Sequence, residues 1–223
     1  MTITERLIKL DPTLTLHNEG EWGSTILEYS AFNNGGVECE VGEFLYGLIR
    51  VLKPDKVLET GTHFGIGASY MGLALLDNGK GSLTTLEFLP EIYEIAKSRM
   101  TRLGFSRPGL SRIVNCELLD AANYTPTGKL DLIFLDTEPQ TRFAELLKFY
   151  PYVKEGGYMF IHDLHPHMHQ IPNDEHGFAW PYGVIPEAMV DLVRFDKLRP
   201  FHFRTPRGMS GFYKTAESDY KWI

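Results

Sequence analysis

The sequence predicts an α/β protein built on a mostly parallel sheet, with an antiparallel hairpin at its carboxyl end. Short apolar runs alternate with segments of helical periodicity, glycines and acidic residues gather just after those runs, and the last two runs are joined by a Pro-Arg-Gly turn. The 223 residues, 43% hydrophobic and 23% charged, suffice for one large domain.

The elements follow in order. The first 35 residues show no sustained periodicity and end in Asn33, Asn34, Gly35 and Gly36, so they are expected to form a lid or oligomer arm outside the core. A single domain is expected over 36–223. Val41, Phe44, Leu45, Leu48, Ile49 and Leu52 recur at three- and four-residue steps, one apolar face of a helix that Pro54 ends. "KVLET" (56–60) reads as a buried strand, and "GTHFGIG" leads into an apolar helix over 68–76. "SLTTLE" (82–87) is the next strand. After it Pro90 starts a helix with Glu91 and Glu94 early, Lys97, Arg99 and Arg102 late, and Gly104 past its end.

"RIVNC" (112–116) and "LDLIFLD" (130–136) read as two further strands, the second apolar enough for the centre of a parallel sheet. Pro139 stands near the start of the following helix, which carries Phe143, Leu146, Leu147 and Tyr150 on one face, and "GYMFIHD" (157–163) is the fifth strand. A helix over 186–195 then precedes two alternating strands within 201–215. Five parallel strands and the hairpin make a Rossmann-like, doubly wound, seven-stranded sheet.

The totals exclude several classes of partner. A net charge of −7, from 22 Lys plus Arg against 29 Asp plus Glu, opposes attraction to nucleic acid or anionic membrane and leaves a small molecule as the expected partner. Cys39 and Cys116 form neither a disulfide framework nor a zinc knuckle. Glu5, Arg6 and Lys9 interrupt the amino terminus where a signal peptide needs an apolar core, and no apolar stretch approaches about 18 residues. A cytoplasmic protein is expected.

Open parallel sheets bind ligands at the carboxyl ends of their strands. The first such turn holds Gly61, Gly65 and Gly67, which let the backbone approach a ligand, ahead of a helix amino terminus with unpaired N–H groups. The spacing is not a dinucleotide fingerprint, since Tyr70 stands where its third glycine belongs. Glu59 would repel a pyrophosphate but accept a bond from an ammonium, which favours a cofactor with an amino-acid-like tail. Glu87, twenty residues beyond Gly67, suits the hydroxyls of a ribose, and beside Pro90 it also suits the start of a helix.

"VLETGTHFGIGAS", "LTTLE", "LDLIFLDTEP" and "EGGYMFIHD", in this order, resemble the successive motifs of class I S-adenosylmethionine-dependent methyltransferases. More narrowly they resemble the catechol and caffeoyl-CoA O-methyltransferases and the cephalosporin-hydroxylase-like group, over about residues 40 to 165 and on to the final hairpin. The resemblance implies that Glu59, Gly61 and Thr62, with Gly65 and Gly67 of the loop, hold the methionine part of the cofactor. It further implies Glu87 at the ribose and Glu117 at the adenine. The family often has serine at the place of Gly67; its absence leaves the cofactor carboxylate to backbone N–H groups or to Ser69.

Methyl transfer to a hydroxyl requires the oxygen to lose its proton, and two routes are open: a divalent ion that acidifies the hydroxyl, or a neutral histidine that takes the proton. Asp136 ends the fourth strand, and His162 and Asp163 end the adjacent fifth. In the resembling metal-dependent families an aspartate after strand four and an Asp-Asn or Glu-Asp pair after strand five bind the ion. Asp136 and Asp163 match, whereas Leu164 replaces the asparagine of the first kind and His162 the glutamate of the second. An Asp, His, Asp set suits manganese, iron or zinc at least as well as magnesium. Asp136 also counts with the cofactor site, because its position in a catechol-like site faces the transferring methyl.

Beyond this pair, "LHPHMH" begins a long segment, 164–185, expected to be an active-site lid; His165 is its candidate general base, with His167 and His169 as further imidazoles. Phe178, Trp180 and Tyr182 would line an acceptor pocket or pack beneath the lid. The expected function is O-methylation of a small-molecule hydroxyl by a homodimer. The alternatives are an NAD(P)-dependent oxidoreductase, resting only on the glycine loop and Glu87, and a non-catalytic nucleoside-cofactor-binding protein.

Overall fold

The structure, a computed structural model, describes residues 1–19, 29–32, 36–106, 113–164, 186–203, 205 and 207–216. The chain begins with α1 (Ile3–Leu10), β1 (Leu16–Glu19), β2 (Tyr29–Phe32) and α2 (Cys39–Leu52). There follow β3 (Lys56–Thr60), α3 (Ile66–Asn78), β4 (Ser82–Glu87), α4 (Pro90–Arg102) and β5 (Val114–Leu118). Then come β6 (Leu130–Leu135), α5 (Arg142–Phe149), β7 (Val153–His162), α6 (Glu187–Arg194), β8 (Leu198–Phe203) and β9 (Met209–Lys214).

Seven strands form one sheet in the order β5-β4-β3-β6-β7-β9-β8, and β1 pairs antiparallel with β2 apart from it. The first five of the seven are parallel, and β9 adds antiparallel to β7 and to β8. The sheet is therefore the expected one, with its switch of strand order at β3, between β4 and β6. The apolar runs are continuous because both faces are covered. Leu132, Phe134 and Phe160 pack with Leu45, Tyr70, Leu73 and Met100 of the early helices, while Ile133, Leu135, Met159 and Ile161 pack with Leu146, Phe149 and Met189 on the other side.

Three boundaries differ from the sequence reading. β5 lies two residues later than expected. β7 starts at Val153 rather than at Gly157, because pairing with β6 resumes across an irregularity between Leu130 and Leu132. The third difference is larger: the first 35 residues, expected outside the core, contribute Leu7, Leu14 and Phe32 to it. Thr2 and Glu5 form a capping box at the start of α1, and Asp11 binds Arg99 and Arg102 of α4. No described helix is long and apolar enough to cross a membrane.

Candidate functional site

The carboxyl ends of β3, β4, β6 and β7 bring the expected acidic residues to one crevice. Gly61 makes this possible at the tip of β3. It takes φ +78°, and a Cβ there would lie 2.2 Å from the carbonyl oxygen of Asp136, so a side chain would force β3 and β6 apart. The N–H groups of Gly61 and Thr62 both donate to the carbonyl of Leu86 at 3.0 Å, tying this loop to β4. Gly65, at φ +80°, is the N-cap of α3.

A small cavity opens here, lined by Gly36, Val37, Glu59, Gly61, Thr62, His63, Ile66, Gly67 and Asp136. Glu59 is 1% exposed and its carboxyl occupies the space beside Gly67, where a Cβ would lie 2.4 Å from Oε1. The glycine that replaces the family's serine is thereby matched to the glutamate. Thr85 Oγ1 donates to Glu59 Oε2 at 2.5 Å, and Thr62 Oγ1 lies 2.5 Å from Thr85 Oγ1. Burial pushes the Glu59 carboxyl up to about 8, the Thr85 hydroxyl opposing this and the charges of Asp136 and Glu87 adding to it.

The other expected cofactor residues sit as follows. Glu87 accepts backbone N–H bonds from Phe88 and Leu89 on Oε1 and from His63 on Oε2, so it serves the turn into α4 as well as facing the glycine loop. Glu117 accepts from the Asn115 side chain at 2.6 Å. Ser69 is fully buried with its hydroxyl on the Gly65 carbonyl, inside the first turn of α3 rather than on the cavity wall. His63, at φ +48°, is a cavity residue that sequence reasoning missed.

Asp136, His162 and Asp163 meet as expected, with potential ligand atoms within 4.8 Å of one another. Their surroundings were not foreseen. The His162 ring is fully buried between two carboxylates, with Nδ1 2.9 Å from Asp136 Oδ1 and Nε2 2.5 Å from Oε2 of Glu38. Burial alone would lower the His162 pKa, but the charges of Asp136, Asp163 and Glu38 outweigh it and raise it to about 10. The three carboxylates around the ring thus favour its charged form.

Two guanidinium groups complete the cluster. Arg142, at the start of α5, places Nη2 3.2 Å from both Asp136 Oδ1 and Asp163 Oδ2, and also donates to the carbonyls of Thr137 and His162. Arg207, in the β8–β9 turn, donates to Asp163 Oδ2 at 2.9 Å and to the Gly36 carbonyl at 2.6 Å, and its own backbone N–H donates to Glu38. These contacts hold the Asp163 carboxyl below the usual range against the opposing effect of burial.

The spacing alone would accept a divalent ion, and Asp163 Oδ1 has no aligned hydrogen-bond donor. The chemistry of the donors does not accept one. Arg207 Nε stands 2.8 Å from that same oxygen, and both His162 nitrogens are already engaged by carboxylates, Nδ1 by Asp136 and Nε2 by Glu38. These residues do not fit a resident dication.

Arg142 left one signal in the sequence: a cation in the first turn of a helix opposes the dipole and asks for a buried anion. Glu38 left none, since a carboxylate before a helix reads as a cap, although its side chain makes no capping bond here. Arg207 reads as an ordinary turn residue. His165, His167, His169, Phe178, Trp180 and Tyr182 lie outside the described residues.

Residues 58–164 match the family model described as a methyltransferase domain. A curated relative from Mycobacterium sp. (strain KMS), named "Putative O-methyltransferase", is 31% identical over 130 residues, 57% of each chain. One of that name from Mycolicibacterium smegmatis is 27% identical over 128 residues, 57% of this chain and 60% of the relative. The chain thus spans less than two thirds of the curated relatives it matches.

Among solved structures, the O-methyltransferase TomG from Streptomyces achromogenes in complex with S-adenosylmethionine superposes with TM-score 0.64 at 18% identity, over 81% of this chain and 82% of that one. The Podospora anserina methyltransferase PaMTH1 bound to S-adenosylhomocysteine does so with TM-score 0.66 at 16% identity, over 82% and 81%. The fold is the one these proteins share.

Proposed function

We propose that this chain, whose residues 58–164 match the methyltransferase-domain family model, is an S-adenosylmethionine-dependent methyltransferase acting on a hydroxyl of a small molecule. The observation that carries this reading is the crevice where Glu59, Gly61 and Asp136 converge at the switch in strand order, with Glu87 accepting from the N–H of His63 on its wall. Glu59 receives the ammonium of the cofactor's amino-acid tail, the glycine-loop N–H groups its carboxylate, and Glu87 the ribose. Phe88 and Leu118, both exposed beside Glu87, offer apolar surface for the adenine next to Glu117. The cofactor supplies an electrophilic methyl.

On the acceptor side, Asp136 is the one carboxylate of the buried cluster that lines the cavity. His162 and Arg142 both hold its Oδ1, which leaves Oδ2 to orient the acceptor hydroxyl and take its proton. His162 and Asp163 are positioning residues in this reading, and the Mg, Mn, Fe or Zn ion considered from sequence has no part in it. The free thiols of Cys39 and Cys116 support a reducing, cytoplasmic setting, where we place a homodimer. The oxidoreductase alternative is disfavoured by the glycine spacing, with Tyr70 where a dinucleotide fingerprint has its third glycine.

Calorimetry with S-adenosylhomocysteine and with NAD tests the cofactor, and binding of NAD alone would sink the reading. A panel of phenolic, sugar and hydroxy-acid acceptors, followed by release of S-adenosylhomocysteine, then identifies turnover. Asp136→Asn is expected to keep cofactor affinity within about threefold and to lower kcat by roughly 10²–10⁴-fold. Undiminished turnover in that variant would remove Asp136 from its role.

A further inference from the structure

We infer that Arg142 and Arg207 take the place of a divalent ion between Asp136 and Asp163, so that among the described residues the cluster is a metal-free network of three carboxylates, two guanidinium groups and the His162 ring. This goes beyond the methyl-transfer reading, because it holds whichever acceptor the cavity takes.

The count follows from geometry. Glu38, Asp136 and Asp163 supply three carboxylates; Arg142, Arg207 and His162 face them. Each nitrogen of the His162 ring has a carboxylate oxygen within 2.9 Å, Nδ1 that of Asp136 and Nε2 that of Glu38, so both are already engaged within the cluster. Arg142 Nη2 is equidistant, at 3.2 Å, from the two aspartates that would share the ion. Arg207 donates through Nη2 to Asp163 Oδ2 and stands with Nε 2.8 Å from Oδ1, an ion-pair contact without hydrogen-bond alignment.

The guanidinium fork suits this place better than an ion in one respect. A planar fork bonds carboxylates and carbonyls together, and here it joins four separate segments. Arg142 ties the tips of β6 and β7, through the carbonyls of Thr137 and His162, to the two aspartates. Arg207 ties the β8–β9 turn to Gly36 and Glu38 at the entrance to α2 and to Asp163. All of these charged side chains except those of Asp136 and Arg207 are at most 5% exposed, so an unpaired member would be costly. A dication entering this space would have to expel a guanidinium.

The test is metal content, not turnover. Protein treated with EDTA is dialysed against micromolar Mn²⁺ or Zn²⁺, with and without S-adenosylhomocysteine, and analysed by mass spectrometry. Wild type is expected to retain well under about 0.1 equivalent and to melt at the same temperature with metal or EDTA. About one equivalent retained by wild type and lost in Asp163→Asn would overturn the inference. Arg207→Gln removes one positive charge beside Asp163 and is expected to bind Mn²⁺ at least about tenfold more tightly than wild type. Equal affinity would show that the guanidinium does not hold the ion's place. Should that variant fail to fold, the wild-type measurement decides alone.

Discussion

Replacing Glu59 by glutamine should abolish a proton release that accompanies cofactor binding. Glu59 is 1% exposed, with one hydroxyl donor from Thr85, and its carboxyl is pushed up to about 8 by burial. At pH 7 it is therefore about 90% protonated in the free protein, since one pH unit below a pKa leaves about a tenth ionised. If it receives the ammonium of the cofactor tail, it must ionise in the complex and release ~0.9 proton per S-adenosylhomocysteine bound at pH 7 and ~0.1 at pH 9.

Calorimetry in buffers of different ionisation enthalpy measures that number. The affinity should fall about tenfold for each unit of pH below about 7, because the ionised fraction falls by that factor. The free protein has the opposite dependence. A carboxyl raised from 4.5 to about 8 contributes stability that is fully present below pH 4.5 and is lost as the pH rises through 8. Glu59→Gln should release no proton and bind roughly 10–100-fold more weakly, the worth of one hydrogen bond to a charged group. A wild-type release below about 0.2 proton at pH 7, or the same release from the variant, would refute the assignment of Glu59 to the ammonium.

Three further substitutions test the scaffold. Gly61→Ala puts a methyl 2.2 Å from the Asp136 carbonyl at φ +78° and should cost about 3 kcal/mol or more in urea unfolding, whereas Gly79→Ala, at φ +67° with open space around it, should cost only about 1 kcal/mol. Asp11→Ala strips the buried Arg99 of its carboxylate and should cost about 3 kcal/mol or more. Burial opposes ionisation of Asp11, but Arg102, Thr13 and Arg99 hold it down at about 2, so its contribution is present above pH 3.8 and lost as the pH falls toward 2. Acid titration of thermal melting should show that limb in wild type and not in the variant.

Most of the fold was legible because parallel central strands are apolar on both faces and end abruptly. β3, β4 and β6 agree with the sequence reading to within a residue at their limits. The amino-terminal helix was legible too and was passed over: "TITE" at residues 2–5 is a capping box before an apolar run, and Leu7 is fully buried. The acidic tips of the site could be read because each follows a strand. Its basic half could not. Arg142 and Arg207 meet Asp163 across 21 and 44 residues, and Glu38 meets His162 across 124. No local pattern encodes such pairings; they follow from the sheet order and the hairpin turn.

That division explains why a metal-binding motif can be present in sequence and closed in structure. Motif reading records ligand types and strand tips, which here are Asp, His and Asp within reach of one another. Whether such a set binds an ion depends on what else faces it, and a cluster of three carboxylates is compensated equally well in net charge by one dication with one monocation or by three monocations. The chain supplies the three monocations from α5, from the end of β7 and from the hairpin turn, and spends both nitrogens of His162 on carboxylates. Only Asp136 of this set also lines the cavity. The network fixes one oxygen of that aspartate, and in the proposed reading the other orients the acceptor, a task that a bound ion would otherwise perform.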